Sequence, residues 1–266
     1  MKFYKVLTTL ALGAATIAAS QANQKLVVAA TPVPHAEILE FVKPILAKQG
    51  IDLEVKVFTD YILPNRAVSS GEALANFYQH QPYLDAYNAQ NKTDIIGGFK
   101  VHIEPFGIYS TKYKNLADAP RGATFVIPND PSNEGRALLV LQEAGLIKLK
   151  DPSKLLSTER DIAENPNRYK FLPVEAANIP RVYNSADFGL INANYALTSN
   201  LNPTKDALYV EATGPYANFI AYRKANADDP RIKALEAALN TKEVYEFILT
   251  KYNGAVVPVF KPEGVN

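Results

Sequence analysis

The sequence has no cysteine and no tryptophan, and its one methionine is residue 1. The missing thiol excludes disulfides, thiolate zinc sites, cysteine nucleophiles and a lipid-modified N-terminal cysteine, so the fold must stand on its packed core. An excess of either charge is missing too. With 28 basic and 27 acidic residues the net charge is +1, which offers neither the basic footprint of a nucleic-acid binder nor a polybasic patch for anionic lipid. Beyond the N-terminal segment no apolar run approaches the roughly 20 residues that span a bilayer. No internal repeat or low-complexity tract is evident. There is no P-loop, G-x-G-x-x-G or G-x-S-x-G elbow either, which removes common nucleotide, dinucleotide and serine-hydrolase sites.

The 266 residues, 47% of them hydrophobic, can bury the core of one large domain or two smaller ones. At the N-terminus, Lys2 and Lys5 precede an apolar stretch from Val6 to Ala19, and Ser20, Gln21 and Ala22 form a small-x-small cleavage site. This reads as an export signal over residues 1–22, too short and too rich in alanine and glycine for a membrane span. The mature chain is expected to begin near Asn23.

From Lys25 onward, strand and helix patterns alternate. "KLVVAA" reads as a buried strand, Ala36 to Gln49 as an amphipathic helix closed by Gly50, and "IDLEVKVF" as a second strand. Together they predict a right-handed βαβ unit with parallel strands. A short strand over Leu74 to Tyr78 and a helix over Tyr83 to Gln90 follow, with extended pieces on either side of Pro105. Past Tyr109 the pattern restarts with strands over Ala123 to Pro128, Tyr169 to Val174 and Phe188 to Ile191, and a helix over Glu134 to Glu143. "ALYVEA" and "NFIAYR" are further strands, and helices over Asp229 to Asn240 and Thr241 to Lys251 close the chain. Two α/β rounds with a short tail predict two lobes, one from residues 23–110 plus 219–266 and the other from 111–218. The crossings are expected near Tyr109 to Lys112 and near Glu211 to Asn218.

Ligands of open α/β sheets sit beyond the carboxyl ends of strands, and two lobes bring such ends face to face. Several polar and aromatic residues fall at these ends. The run "FYQHQPYLDAYN", Phe77 to Asn88, is too aromatic for a solvated helix and too polar for a buried strand. Within it Phe77 and Leu84 suit the core, Gln79 and Gln81 suit loop support, and Tyr78, His80 and Tyr83 suit the rim of a cleft. Tyr61 lies at the open end of the second strand; such tyrosines serve either core or pocket. Arg136 falls in the first turns of a helix, where it could hold a carboxylate or form a surface ion pair. Asn194 and Asn218 are turn residues that either cap backbone or accept from a ligand ammonium. The three histidines, His35, His80 and His102, could bind zinc with Glu104 or Asp85, although no H-E-x-x-H or other close pair fixes the geometry.

The strings "ATPVPHAEILEFVKP", "FTDYILPNRAV", "NFYQHQPYLDAYN", "KVHIEPFGIYS", "IPNDPSNEGRALLVLQEAGLIKL" and "LINANYALTSNLNPTKDALYVE" resemble the NlpA-type methionine-binding family over about Lys25 to Phe260. Its members are the substrate-binding components of methionine ABC importers. The resemblance implies a two-lobed α/β periplasmic binding protein of type 2, closing on methionine in the inter-lobe cleft, with the D enantiomer as a second candidate. It assigns Arg136 to the carboxylate, Asn194 and Asn218 to the α-amino and carboxylate groups, and Tyr61, Tyr78, His80 and Tyr83 to the side-chain slot. Neutral His80 would supply one donor. A monomer working with a membrane permease and its cytoplasmic ATPase is implied, with no catalysis, cofactor, metal or nucleic acid.

Three departures from the family pattern stand out. Tyr78 replaces a common phenylalanine, which makes the slot more polar. Glu134 stands where glycine often precedes the "GRAL" string. No cysteine follows the signal, so the expectation is a free periplasmic protein without a lipid anchor, retained behind an outer membrane. The rival readings are a same-fold binder of another small amino acid or dipeptide, and a periplasmic metal-dependent hydrolase.

Overall fold

The computed structural model describes residues 24–212 and 214–265; the expected signal segment, 1–22, lies outside the described residues. The chain opens with the expected βαβ unit. Strand β1 (Gln24–Ala30) leads through a helical turn at Pro32–Ala36 into α1 (Glu37–Ala47) and then β2 (Ile51–Val57), which pairs parallel with β1. Along β1, Leu26, Val28 and Ala30 enter one core with Ile38, Leu39 and Val42 of α1, while Ala29 enters a second core on the opposite face. That alternation is the two-residue period of a strand buried on both sides. Each of the leucine, valine and isoleucine side chains among them contributes about 1.5–3 kcal/mol on full burial.

The short helix α2 (Leu63–Ser70) has no counterpart in the sequence-based expectation. Its apolar stripe is only Ala67 and Val68, so no helical period stands out. Its ends are marked instead. Asp60 Oδ1 accepts from the backbone N–H groups of Ile62 and Leu63 at 2.7 and 2.8 Å, Pro64 sits in the first turn, and Gly71 stops the helix at φ +82°. Then come β3 (Ala75–His80), α3 (Gln81–Asn91) and β4 (Ile95–Ile103). β4 is longer than expected because Gly97 and Gly98 interrupt its apolar alternation.

The next segment builds a second sheet. It comprises β5 (Gly107–Tyr109), β6 (Thr124–Pro128), α4 (Pro131–Glu143), the small β7 (Lys148–Leu149) and β8 (Ile162–Glu164) pair, and β9 (Lys170–Val174). After α5 (Ile179–Val182) come β10 (Phe188–Ile191), α6 (Ala193–Thr198), α7 (Pro203–Asp206) and β11 (Tyr209–Val210). The chain then returns through β12 (Ala217–Arg223), α8 (Pro230–Leu239), α9 (Lys242–Tyr252) and β13 (Val257–Pro258). The six-stranded sheet is ordered β13-β4-β12-β3-β1-β2 and the five-stranded sheet β11-β5-β10-β6-β9. In the second sheet Phe125, Ile127, Leu138 and Phe188 pack on one face and Val126, Ile179 and Ile191 on the other. Phe125 and Phe188 stack at 4.7 Å.

Sheet membership moves both expected boundaries upstream. β5 pairs antiparallel with β10 and β11, so the first crossing lies between Ile103 and Gly107 rather than at Tyr109 to Lys112. Ala217 and Asn218 pair with β4, so the first sheet regains the chain at residue 217 rather than 219. Among the described residues no helix is long and apolar enough to cross a membrane.

The end of this six-stranded sheet positions the site. His80, Asn218 and His102 are register partners on adjacent strands, and β12 slips register against both neighbours beside Phe219. Such irregularities re-aim side chains next to functional sites.

Candidate functional site

A narrow cavity lies between the two sheets. From the first sheet it is lined by Tyr61, Tyr78, His80, Tyr83 and Asn218, and from the second by Arg136 and Asn194. All seven candidates therefore face one space. Gln79, Asn133 and Asn192 line it as well, and so does Glu104, singled out in the sequence only as a possible metal ligand.

Arg136 owes its place to the start of α4. Asp130 Oδ1 caps the helix by accepting from Asn133 N–H at 3.0 Å, and Pro131 occupies the first turn. A Cβ at Gly135 would collide with the Leu155 carbonyl, so only glycine lets that segment pass beside the arginine. Arg136 is 3% exposed. Its Nε donates to Glu211 Oε2 at 2.9 Å, and Nη2 donates to Glu211 Oε1 and, at 2.9 Å, to the Glu104 carbonyl. The guanidinium lies 4.1 Å over the Tyr216 ring. Arg136 is thus neither a surface ion pair nor a bare anion receptor: its two-pronged edge is taken by Glu211. Nη1 takes part in none of these bonds. Burial works against the guanidinium charge, and Glu211 outweighs it, so the pKa is raised.

Glu104 is the centre of a second group. His35 and His102 direct Nε2 at its Oε1, at 3.0 and 2.8 Å, and the Asn194 backbone N–H donates to Oε2 at 3.0 Å. Burial raises the Glu104 pKa, but the two imidazoles prevail and hold the carboxyl well below the usual range. Burial lowers the pKa of His102. The donor atoms of His35, His102 and Glu104 lie within 4.8 Å of one another, so these are the residues that could hold a metal ion. The group differs from the one expected. His80 bonds Asn133, and Asp85 accepts from exposed Gln81 at 2.7 Å.

The aromatic side of the cavity is a triangle. The rings of Tyr61, Tyr78 and Tyr83 stand 5.8 to 5.9 Å apart, and Tyr195 backs Tyr61 at 4.8 Å. Tyr61 donates to Asn194 Oδ1 at 2.5 Å and Tyr83 to the Tyr61 carbonyl at 2.7 Å. The buried Tyr78 hydroxyl has no partner among the described residues. His80 caps α3, its Nδ1 accepting from Tyr83 N–H at 3.3 Å, while Nε2 donates to Asn133 Oδ1 at 3.2 Å. Burial above all, then the Arg136 charge, lowers its pKa to about 3. The ring is neutral as expected, but the donor intended for a ligand is occupied by α4.

The amides divide likewise. Asn218 Oδ1 faces His35 Nε2 at 3.2 Å, so its carbonyl already has a partner. Asn192 Oδ1 is buried without one. Phe77 and Leu84 belong to the cores. Gln79 sits in β3, bonded to Asn65 and Asn76 in a buried network rather than supporting a loop. Glu211 carries no sequence signal for its role, because its partner Arg136 is 75 residues away.

Comparison with known proteins adds the relationships. The model of the family described as NlpA lipoprotein matches residues 26–260. The methionine-binding lipoprotein MetQ of Bacillus subtilis (strain 168) is 44% identical over 248 residues, covering 91% of this chain and 90% of the relative. A nutrient binding protein from Burkholderia cenocepacia, solved bound to methionine, is 43% identical with a TM-score of 0.85, over 88% of this chain and 100% of that one. An ABC transporter periplasmic substrate-binding protein from Coxiella burnetii is 36% identical with a TM-score of 0.84, over 88% of this chain and 100% of that one. The fold is thus the two-lobed α/β fold of these substrate-binding proteins. One expectation is overturned: the family and the Bacillus relative are lipoproteins by name, so the reading of a free protein without a lipid anchor, drawn from the missing cysteine, does not stand. With the family match spanning nearly all the described residues, the chain belongs to the NlpA lipoprotein family.

Proposed function

We propose that the protein is the substrate-binding component of an ABC importer for methionine. One observation carries this reading: a single cavity is lined by charged and amide groups, Arg136, Glu104 and Asn194, and by three tyrosine rings, the two sets meeting where Tyr61 bonds Asn194. An α-amino acid with an apolar side chain matches that division. The methionine held by the Burkholderia protein, of the same fold and 43% identical, supports the choice of side chain. In this reading Arg136 Nη1 meets the ligand carboxylate, Glu104 and the unpartnered Asn192 Oδ1 face the ammonium, and the thioether lies against Tyr61, Tyr78 and Tyr83. Sulfur–aromatic contacts contribute about 0.3–1.5 kcal/mol each, so shape must supply the rest of the selectivity.

We take the lobes to be residues 24–103 with 217–265 and residues 107–210, hinged at the two crossings. The ligand bridges them and favours closure by its differential affinity, without any chemical step. The closed monomer then delivers its cargo to a membrane permease driven by a cytoplasmic ATPase. Native mass spectrometry of the purified protein tests the ligand: a co-purified mass of methionine supports the reading, and a different amino acid or a dipeptide replaces it.

A further inference from the structure

We propose that Glu211 sets the charge selectivity of the cavity: it holds the Nε and Nη2 edge of Arg136 and offsets the guanidinium charge, so that a ligand must bring its own ammonium to face Glu104. The inference rests on the amino-acid reading above but names a residue outside the cavity wall. Glu211 lies on the returning crossing between β11 and β12 and is buried. Its Oε1 also accepts from the Phe106 backbone N–H at 3.1 Å, on the outgoing crossing. Arg136 Nη2 in turn donates to the Glu104 carbonyl on the same crossing. One carboxylate therefore fastens the arginine of α4 to both connections between the sheets.

The chemical consequence follows from the geometry of the fork. A guanidinium with its Nε and Nη2 edge open would grip any carboxylate with two parallel bonds and a full positive charge. Here that edge is occupied, and the ring of Tyr216 covers the guanidinium face. What remains for a ligand is Nη1 of a charge already matched by Glu211, beside the carboxylate of Glu104. Such a site disfavours a plain carboxylate and favours a zwitterion or a cation. Glu211 is a positioning residue, acting through Arg136.

The test is calorimetry on the full chain with three probes: L-methionine, L-methionine amide as a cation, and 4-(methylthio)butanoate as an anion without the ammonium. The wild type should bind the first two and discriminate against the third. In Glu211→Gln the butanoate should gain about tenfold relative to methionine and the amide should lose about tenfold. Glu211→Asp, which keeps the charge, should keep the wild-type order. A common factor of loss for all three probes overturns the proposal, since a merely structural residue acts on them alike. If Glu211→Gln fails to fold, wild-type butanoate binding as tight as methionine overturns it equally. A wild type that binds none of the probes counts against the methionine reading instead. Glu211 is then judged by ¹⁵N relaxation of the Arg136 guanidinium, where rotation as fast as in an exposed arginine overturns the anchoring.

Discussion

The Tyr61 hydroxyl donates to Asn194 Oδ1 at 2.5 Å, tying the loop after β2 to the first turn of α6 and so one sheet to the other. Tyr195 repeats the link in reverse, donating to the Thr59 carbonyl at 3.1 Å. Tyr61→Phe should weaken the closed state by about 0.5–1.5 kcal/mol, the net worth of one hydrogen bond. A double-mutant cycle with Asn194→Ala, read as ligand affinity, should show a coupling of that size. Strict additivity would mean that the pair does not hold the lobes together.

Arg136→Ala removes the partner of buried Glu211 as well as the proposed carboxylate contact. Breaking a buried pair from one side costs about 3–5 kcal/mol, so the variant should unfold at markedly lower denaturant. Arg136→Lys keeps a cation for Glu211 but not the fork, and should be far less destabilised. Equal denaturation midpoints for the wild type and the alanine variant would show that the pair contributes nothing net.

Glu104→Gln should weaken methionine binding by about 2–5 kcal/mol, as expected when one member of a desolvated charge pair is lost. Methionine affinity by calorimetry that is unchanged in this variant removes Glu104 from the ammonium site.

Acid should destabilise the protein through His80. Its folded pKa of about 3 lies below the ordinary 6.5, so the unfolded chain takes up the proton first. The contribution is intact above pH 6.5 and is lost progressively as pH falls toward 3, at up to about 1.4 kcal/mol per pH unit. His102, lowered by burial, acts in the same direction. Denaturant midpoints measured from pH 7 to pH 4 should fall, and His80→Gln should flatten the slope. A variant slope as steep as the wild type's would assign the effect elsewhere.

Much of the fold was legible because its strands are buried on both faces. Runs such as "KLVVAA" and "ATFVIP" are mostly apolar and match β1 and β6 closely. What escaped had no periodic signal: α2 is short and polar, announced only by Asp60, Pro64 and Gly71. The residues lining the cavity were legible as types at strand ends, yet their partners were not. Arg136 with Glu211 and His80 with Asn133 are joined over 75 and 53 positions, so nothing local shows that the fork or the ring donor is already engaged. Asn192 shares a turn with Asn194, and nothing in the sequence separates the roles of the two amides. The missing cysteine misleads, because it reads as the absence of a lipid anchor in a family whose members are named lipoproteins.

The most direct test is isothermal titration of the purified protein with L-methionine, alongside Arg136→Lys and with leucine as an isosteric control. The wild type should bind one methionine per chain and prefer it to leucine. The lysine variant should stay folded and lose about 2–5 kcal/mol of that affinity. No binding by the wild type, or the same affinity in both proteins, would contradict the account of the cavity as a methionine site built around Arg136.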